Sequence, residues 1–113
     1  MHEVGIMHNI LDHAIERAKQ EGAQHINHVH MRVGEESGVE QDALALAFEV
    51  AKKGTIAENA QLEVEYLPVL CYCNNCNLEF HPTDLLYECP DCKQPYCEVK
   101  QGKEFDLAYL DVS

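Results

Sequence analysis

Basic residues are scarce in this sequence, and that scarcity excludes one large class of partner. Only 8 lysines and arginines stand against 20 aspartates and glutamates, which gives a formal net charge of −12. Because binding to nucleic acid depends on basic side chains that displace counterions from the phosphates, we expect no nucleic acid partner. The same negative charge attracts cations and basic protein surfaces.

Long apolar runs are also missing, so no segment is predicted to span a bilayer and we expect no membrane partner. The first residues read MHEVGIMHNILDHAIE. They contain an early acid but no basic segment and no small-residue cleavage site, so a secretory signal is not expected. We therefore expect a cytoplasmic protein, in which cysteines stay reduced and act as metal ligands rather than forming disulfides.

Cysteine is absent from the first part of the chain, and its distribution divides the sequence into two zones. Residues 1 to about 66 contain six of the 7 histidines, whereas residues 71–97 contain all 6 cysteines and three of the 4 prolines. Pro68 lies between the zones, where it restricts the backbone and cannot donate to a strand ladder. We predict one domain over residues 1–66 and a second over residues 67–104.

Hydrophobic periodicity predicts an α+β fold for the first domain. Helical spacing of apolar residues predicts helices over residues 7–21 and 40–53, and alternation predicts strands over residues 26–33 and 62–66. The order is a short strand or arm, helix, strand, helix, strand. It predicts a small mixed three-stranded sheet with both helices on one face. A last strand is predicted near the end of the chain, and the sequence leaves open whether residues 105–113 complete this sheet.

The first long predicted strand has two chemically different faces. Three apolar side chains alternate with three polar ones: Val29, Met31 and Val33 against His28, His30 and Arg32. Side chains along a strand point alternately to opposite sides, so one face is predicted to be buried. A two-histidine metal site on the polar face is one interpretation, and a solvated face is the one we favour.

Two pairs of cysteines carry the strongest chemical signal. They are Cys73-Asn-Asn-Cys76 and Cys89-Pro-Asp-Cys92, with twelve residues between the pairs. Each pair predicts a tight turn that directs two sulfurs at one point, and two such turns form the tetrahedron of thiolates that zinc prefers. We predict a zinc-ribbon-like domain whose structural Zn(II) supplies folding energy that its thin apolar content lacks.

Other uses of these thiols are less consistent with the pattern. Four thiolates can also hold iron, and a single CxxC pair can be a redox dithiol, although two matched pairs disfavour that interpretation. A closed sulfur site offers no open position for a substrate, so we expect no enzyme. Cys71 and Cys97 are interpreted as spare thiols rather than as transient metal ligands or redox sensors.

The chain begins with Met1-His2-Glu3. A terminal amine, the amide nitrogen of residue 2 and the His2 imidazole together form a chelate of the kind that Ni(II) and Cu(II) favour. Alone this signal is weak, since an exposed histidine near a chain end needs no function.

Further short motifs extend along nearly the whole chain. They are Arg32-Val33-Gly34, Ser37-Gly38-Val39, Gly54-Thr55 with Ala60, and Gly102-Lys103-Glu104. Together with Met1-His2-Glu3 and the two cysteine pairs, they resemble the HypA/HybF family, the nickel chaperones of hydrogenase maturation.

The resemblance implies two metals and a carrier function. It implies that Ni(II) is the cargo, bound through His2 with Met1 and Glu3 as further candidate ligands, and that the four paired cysteines bind Zn(II). It also implies a HypB-like GTPase as partner and delivery to the large subunit of [NiFe] hydrogenase, or to urease in some members. Certain members add a histidine from the zinc domain to the nickel site, and His81 is the only histidine in that zone here.

One further expectation and two alternatives complete the interpretation. A hinge near Pro68 leaves room for a domain-swapped homodimer. The alternatives to nickel transfer are an adaptor with structural zinc only, and an iron or redox protein that uses the thiolates.

Overall fold

The computed structural model describes residues 3–113. Over these residues the chain forms two α-helices, a short 3₁₀ turn (Glu35–Ser37) and six strands. In chain order they are α1 (Glu3–Gln20), β1 (Ile26–Gly34), α2 (Gln41–Ala51), β2 (Gln61–Leu67), β3 (Leu70–Cys73), β4 (Leu78–Phe80), β5 (Glu98–Gln101) and β6 (Phe105–Val112). Neither of the described helices combines the length and the apolar character that crossing a membrane would require.

Helix α1 begins at Glu3, four residues before the predicted start at residue 7, so the predicted short strand or arm is wrong for residues 3–6. The buried stripe of the helix begins only with Met7, and Val4 in the first turn is 50% exposed. Because the first turn contributes no fully buried side chain, apolar periodicity gave no sign of it.

The first sheet has the strand order β2-β1-β6. Strand β1 runs parallel to β2 and antiparallel to β6, which confirms the predicted mixed three-stranded sheet. The alternating apolar residues of β1 lie on the buried face of the sheet, as predicted. Val29, Met31 and Val33 are each at most 1% exposed.

Both helices pack on that one face, as predicted. They share a single core with β1, made by Met7, Leu11, Ala14 and Ala18 of α1, by Leu44, Ala47, Phe48 and Ala51 of α2, and by Ile26, Val29, Met31 and Val33. Within residues 3–113, no helix covers the opposite face of the sheet, which presents the polar side chains of β1.

The second sheet is antiparallel, with the strand order β4-β3-β5. Its core is small and consists of Val69, Cys71, Cys73, Phe80, Cys89 and Cys97. Because β6 returns to pair with β1, residues 68–104 form an excursion between two strands of the first sheet. This pairing settles the question that the sequence left open, whereas the division into functional domains at residues 1–66 and 67–104 stays a prediction.

The two sheets meet at a junction, where residues 34–36 run beside residues 102–104. The Gly34 N–H donates to the Glu104 carbonyl at 2.6 Å, and the Glu36 N–H donates to the Gly102 carbonyl at 2.7 Å. The Tyr87 hydroxyl donates to the Glu36 carboxylate at 2.6 Å, a hydrogen bond that raises the pKa of Tyr87 to about 12. The molecule is elongated, with extents of 54 × 25 × 16 Å, and these contacts couple its two ends.

The N-terminus of α2 is capped by an unusual residue, which gives a testable contribution to stability. A Glu40 carboxylate oxygen accepts from the Ala43 N–H at 2.7 Å, whereas Ser, Thr, Asp or Asn is the usual residue at this position. We expect Glu40→Ala to lower the free energy of unfolding by about 0.5–1 kcal/mol, because it leaves a helix N–H without that acceptor. Urea denaturation measures the change.

The matched control for the cap is Glu16→Ala, on the exposed side of α1. Over the described residues, the Glu16 carboxylate makes no hydrogen bond or ion pair, so its removal should change the free energy of unfolding by less than about 0.5 kcal/mol. Equal effects of the two substitutions would show that the loss came from charge and not from capping.

Candidate metal centres

The first cysteine pair lies on the connection between two antiparallel strands. Cys73 is the last residue of β3, and Cys76 lies in the turn that leads to β4 at Leu78. Asn77 in this turn has a φ of +51°, and its side chain accepts a hydrogen bond from the Tyr72 hydroxyl at 2.8 Å. Asparagine tolerates this left-handed conformation, so the turn closes tightly enough to bring both sulfurs to one side.

The second pair lies in a loop outside the strands. The Lys93 N–H donates to the Cys89 carbonyl at 3.0 Å, and the Cys89 N–H donates to the Gln94 carbonyl at 2.9 Å. These two hydrogen bonds fold the chain back on itself between Cys89 and Gln94. A side-chain hydrogen bond from Asn75 to Gln94 ties this loop to the first pair, a contact that no sequence pattern indicated.

The four sulfurs come together as the sequence predicted they would. The Sγ atoms of Cys73, Cys76, Cys89 and Cys92 all lie within 4.8 Å of one another. Sγ of Cys73 is 3.6 Å from Sγ of Cys92, and Sγ of Cys89 is 4.0 Å from Sγ of Cys76. Four thiolates at about 2.3 Å from a tetrahedral zinc ion are about 3.8 Å apart, so the cluster fits zinc.

Two thiols of the cluster have their pKa values shifted in opposite directions by their neighbours. The backbone N–H of Cys76 contributes most to lowering the pKa of Cys73 to about 7. A hydrogen bond with Cys92 contributes most to raising the pKa of Cys76 to about 12, and burial acts in the same direction. Because metal ligation needs thiolates, zinc uptake by this cluster must release protons and must weaken as the pH falls.

Burial divides the cluster into an inner and an outer half. Cys73 and Cys89 are buried, whereas Cys76 and Cys92 lie at the surface. In a zinc-bound cluster the inner sulfurs would connect the ion to the small core of the second sheet, and the outer sulfurs would close the site towards solvent. Four sulfurs leave no open coordination position, which is typical of a structural site rather than a catalytic one.

Cys71 and Cys97 stay outside the cluster, as expected for spare thiols. Both are buried in the core of the second sheet, with exposed fractions of 0% and 6%. Burial is the main cause that raises the pKa of each of these two thiols. Cys71 is two residues from Cys73 along β3, so both side chains lie on the same buried face of the strand, and Cys71 is kept out of the cluster by its distance along β3.

Unlike the four cysteines, the candidate nickel ligands are only partly covered by the described residues. His2 and Met1, the candidate nickel ligands, lie outside the described residues, and Glu3 begins α1. His81, the histidine of the second zone, has its Nδ1 2.9 Å from the Val69 carbonyl oxygen. His81 also lines one surface cavity together with Cys89 of the cluster.

Comparison with known proteins gives a consistent result over the whole chain. The family model for HypA, described as hydrogenase/urease nickel incorporation, metallochaperone, matches residues 1–112. A hydrogenase maturation factor HypA from Picosynechococcus sp. is 45% identical over 112 residues, which cover 99% of both chains. Another from Chloroflexus aurantiacus is 38% identical over 112 residues, which cover 98% of both.

Two solved structures share the fold. The solution structure of the Ni metallochaperone HypA from Helicobacter pylori has a TM-score of 0.70 at 27% identity, covering 99% of this chain and 97% of that one. A second solution structure of a HypA protein has a TM-score of 0.75 at 26% identity and covers 100% of this chain and 97% of its own.

Proposed function

The chain belongs to the HypA family, and from this premise we propose that it is a nickel metallochaperone for the maturation of [NiFe] hydrogenase. The observation that carries the proposal is the family match over residues 1–112, which includes both the N-terminal motif and the four clustered cysteines. A maturation factor works with other maturation proteins and with the hydrogenase. We assign a HypB-like GTPase and the hydrogenase large subunit as its partners, and the cytoplasm as its location.

Zinc has a structural function in this proposal. Cys73, Cys76, Cys89 and Cys92 bind one Zn(II), which the sulfur–sulfur distances of 3.6 and 4.0 Å support. The ion holds the two cysteine turns together and supplies binding free energy to a sheet with few buried apolar residues. No reaction is assigned to it, and the protein acts as a carrier rather than as an enzyme.

Nickel is the cargo, and we place it at the N-terminus. His2 supplies an imidazole, with the backbone or side chain of Met1 and Glu3 as further ligands. Helix α1 begins at Glu3, and the first N–H groups of a helix have no acceptor within the helix, so the nearby amides are free for other interactions. A net charge of −12 adds a field that attracts the cation.

The contrast between the two sites supports transfer. A cargo ion must leave by ligand exchange, which an accessible site permits and a closed sulfur cage does not. Val4 in the first turn of α1 is 50% exposed, so this end of the helix is open to a partner protein. The acidic surface favours partners with a basic face and disfavours nucleic acid. A domain-swapped homodimer through a hinge near Pro68 stays a prediction.

Nickel titration of untagged protein tests this proposal. We expect His2→Ala to weaken Ni(II) binding by more than about 100-fold, because even loss of an outer-shell partner of a ligand weakens metal binding by about 10- to 100-fold. Protonation of His2 should weaken binding in the wild type as the pH falls through the imidazole range. Isothermal titration calorimetry measures both effects.

The control for this titration is His13→Ala, which removes an exposed histidine from α1 and should leave nickel affinity unchanged. Equal nickel affinity in wild type and His2→Ala would remove the N-terminal site and favour an adaptor with structural zinc only. Elemental analysis of the same preparations separates zinc from iron, and iron–thiolate sites would also absorb visible light.

A further inference from the structure

The open face of the first sheet carries an unusual concentration of metal-ligating side chains. His28 and His30 point away from the helices on the central strand β1. In the strand register His30 lies opposite Glu63 of β2, and His28 lies opposite Asp111 of β6. Two imidazoles and two carboxylates from three strands therefore meet on one surface, and none of them belongs to the N-terminal motif or to the cysteine cluster.

His28 is oriented by carboxylates on both sides. Its Nδ1 lies 3.3 Å from Oδ2 of Asp111, and its Nε2 lies 3.9 Å from Oε1 of Glu63. When Asp111 accepts the Nδ1 proton, Nε2 is left with a free lone pair directed towards Glu63. A carboxylate that orients a histidine in this way is the usual outer-shell partner of a metal-binding imidazole.

His30 is held more firmly than its neighbour. Its ring stacks on the Tyr109 ring with the centroids 3.9 Å apart and the planes inclined by 15°. Its side chain is only 17% exposed, and its Nδ1 lies 3.3 Å from Oε2 of Glu63. The Glu63 carboxylate thus faces both imidazoles, one with each oxygen, and it is 57% exposed and free to adjust.

We propose that His28, His30 and Glu63 form a second site for a divalent transition-metal ion, with Asp111 as the positioning residue for His28. Adjacent donors at about 2.0–2.2 Å from such an ion are about 3.0–3.4 Å apart, and the 3.3 Å separation of His30 and Glu63 matches this spacing. The 3.9 Å separation of His28 and Glu63, and the 5.9 Å between the ring centroids of His28 and His30, require the partly exposed His28 side chain and the exposed Glu63 carboxylate to move towards His30.

This movement is needed because the three ligand groups are not yet all close enough to one another to share one ion. Within residues 3–113, only the four cysteines already place three or more ligand atoms within 4.8 Å of one another. The neighbouring cation does not oppose an ion here, since Arg32 is paired with Asp106 at 3.2 Å in the next row of the sheet.

The donor set determines which ions fit. Imidazole nitrogen suits Zn(II), Cu(II), Ni(II) and Co(II), whereas Mg(II) and Ca(II) prefer sites made entirely of oxygen. Three protein ligands on an open sheet face leave positions for water, so a bound ion exchanges readily. The site is independent of the nickel site proposed at His2, and either can exist without the other.

Nickel stoichiometry of the full-length, zinc-loaded, untagged chain tests the proposal with Ni(II) as the probe. We expect wild type to bind a second, weaker equivalent that is retained in His2→Ala and lost in the double variant His28→Gln/His30→Gln. Asp111→Asn should weaken this second equivalent by about 10-fold or more while leaving the first unchanged. A double variant that binds nickel as the wild type does would overturn the second site.

The matched control is His8→Gln/His13→Gln, which removes two exposed histidines from α1 and should keep both equivalents. If it loses the weak equivalent instead, the sheet-face site is wrong. Histidine side-chain NMR of the wild type gives an answer that does not depend on any variant folding. The imidazole signals of His28 and His30 should shift or broaden with the second equivalent, and unchanged signals would overturn the proposal.

Loss of the first equivalent in His2→Ala and loss of the second in the double variant are separate observations. If His2→Ala leaves the tight equivalent unchanged while the double variant loses the weak one, nickel binding at the N-terminus is refuted and the sheet-face site is supported. The converse result does the opposite.

Discussion

Replacing Cys89 with alanine is expected to abolish zinc binding and to disorder the second sheet while the first sheet stays folded. Cys89 is fully buried and contributes one of four thiolates, so a three-thiolate remnant loses most of a binding free energy that is about 10–16 kcal/mol for comparable structural zinc sites. Among the described residues, the core of the second sheet contains only six buried residues, and four of them are cysteines. Two of these, Cys73 and Cys89, belong to the cluster. Without zinc, too little apolar surface remains to offset the chain entropy.

Two measurements on Cys89→Ala check this result. Zinc content per chain should fall from one to near zero, and amide NMR signals of β3, β4 and β5 should collapse towards random-coil positions. Signals of β1 should persist, because that strand belongs to a separate core formed with the two helices. Removal of zinc from the wild type with a strong chelator should reproduce the same selective loss.

The control for this variant is Cys97→Ala, which removes a buried sulfur that is not in the cluster. It should cost some stability through lost packing but keep one zinc per chain. A Cys89→Ala protein with full zinc content and dispersed β3 signals would contradict a structural function of zinc in the cluster.

Gly34→Ala is expected to destabilise the chain by about 3 kcal/mol or more. A Cβ at Gly34 would overlap the carbonyl carbon and oxygen of Gly102 and would lie 2.6 Å from the Lys103 nitrogen. These are backbone atoms of the segment that returns to β6, so they cannot rotate away as a side chain could. Overpacking against side chains costs about 1–3 kcal/mol, and a clash with the backbone of the connection between β5 and β6 should lie at or above the top of that range.

The segment that contains Gly102 has no room to move away from a Cβ added at Gly34. Gly102 has a φ of +117°, and a Cβ added to it would lie 2.7 Å from the Val69 Cα, so this segment is already pressed against the other connection between the sheets. The expected result is a lower urea midpoint for Gly34→Ala, together with faster amide exchange at Glu36, whose N–H donates across the junction at 2.7 Å.

Gly5→Ala provides the matched control for the junction. Gly5 lies in α1 with nothing within 4 Å of an added Cβ, so alanine should stabilise the helix by up to about 1 kcal/mol. Similar destabilisation by the two substitutions would mean that the junction is not closely packed.

Local patterns were sufficient for most elements of the first sheet and for the cysteine cluster. The alternation along residues 26–33 predicted β1 together with its buried face, because a strand's period of two is visible in six consecutive side chains. The two CxxC pairs predicted which four sulfurs converge, since metal geometry restricts the possible spacings. The start of α1 was missed because its first turn buries nothing that periodicity could detect.

Other features depended on contacts between distant parts of the chain. The tie between Asn75 and Gln94, and the hydrogen bond from Tyr87 to Glu36, join residues whose sequence context gives no sign of their partners. The same is true of the open sheet face, where His28 and His30 suggested a solvated surface until Glu63 and Asp111 were placed beside them by the strand register.

The sequence by itself determined most of the two helices, the three strands of the first sheet, the four converging thiols and the resemblance to a nickel chaperone family, because each of these is encoded over a short stretch or by a fixed spacing. It did not indicate the first turn of α1 or the short strands β3, β4 and β5. Only the tertiary structure decided that β6 pairs with β1, that the second sheet is therefore an excursion from the first, and that two histidines face two carboxylates. Pairing of strands more than seventy residues apart depends on which faces remain to be buried once both helices are in place, and no local pattern contains that information.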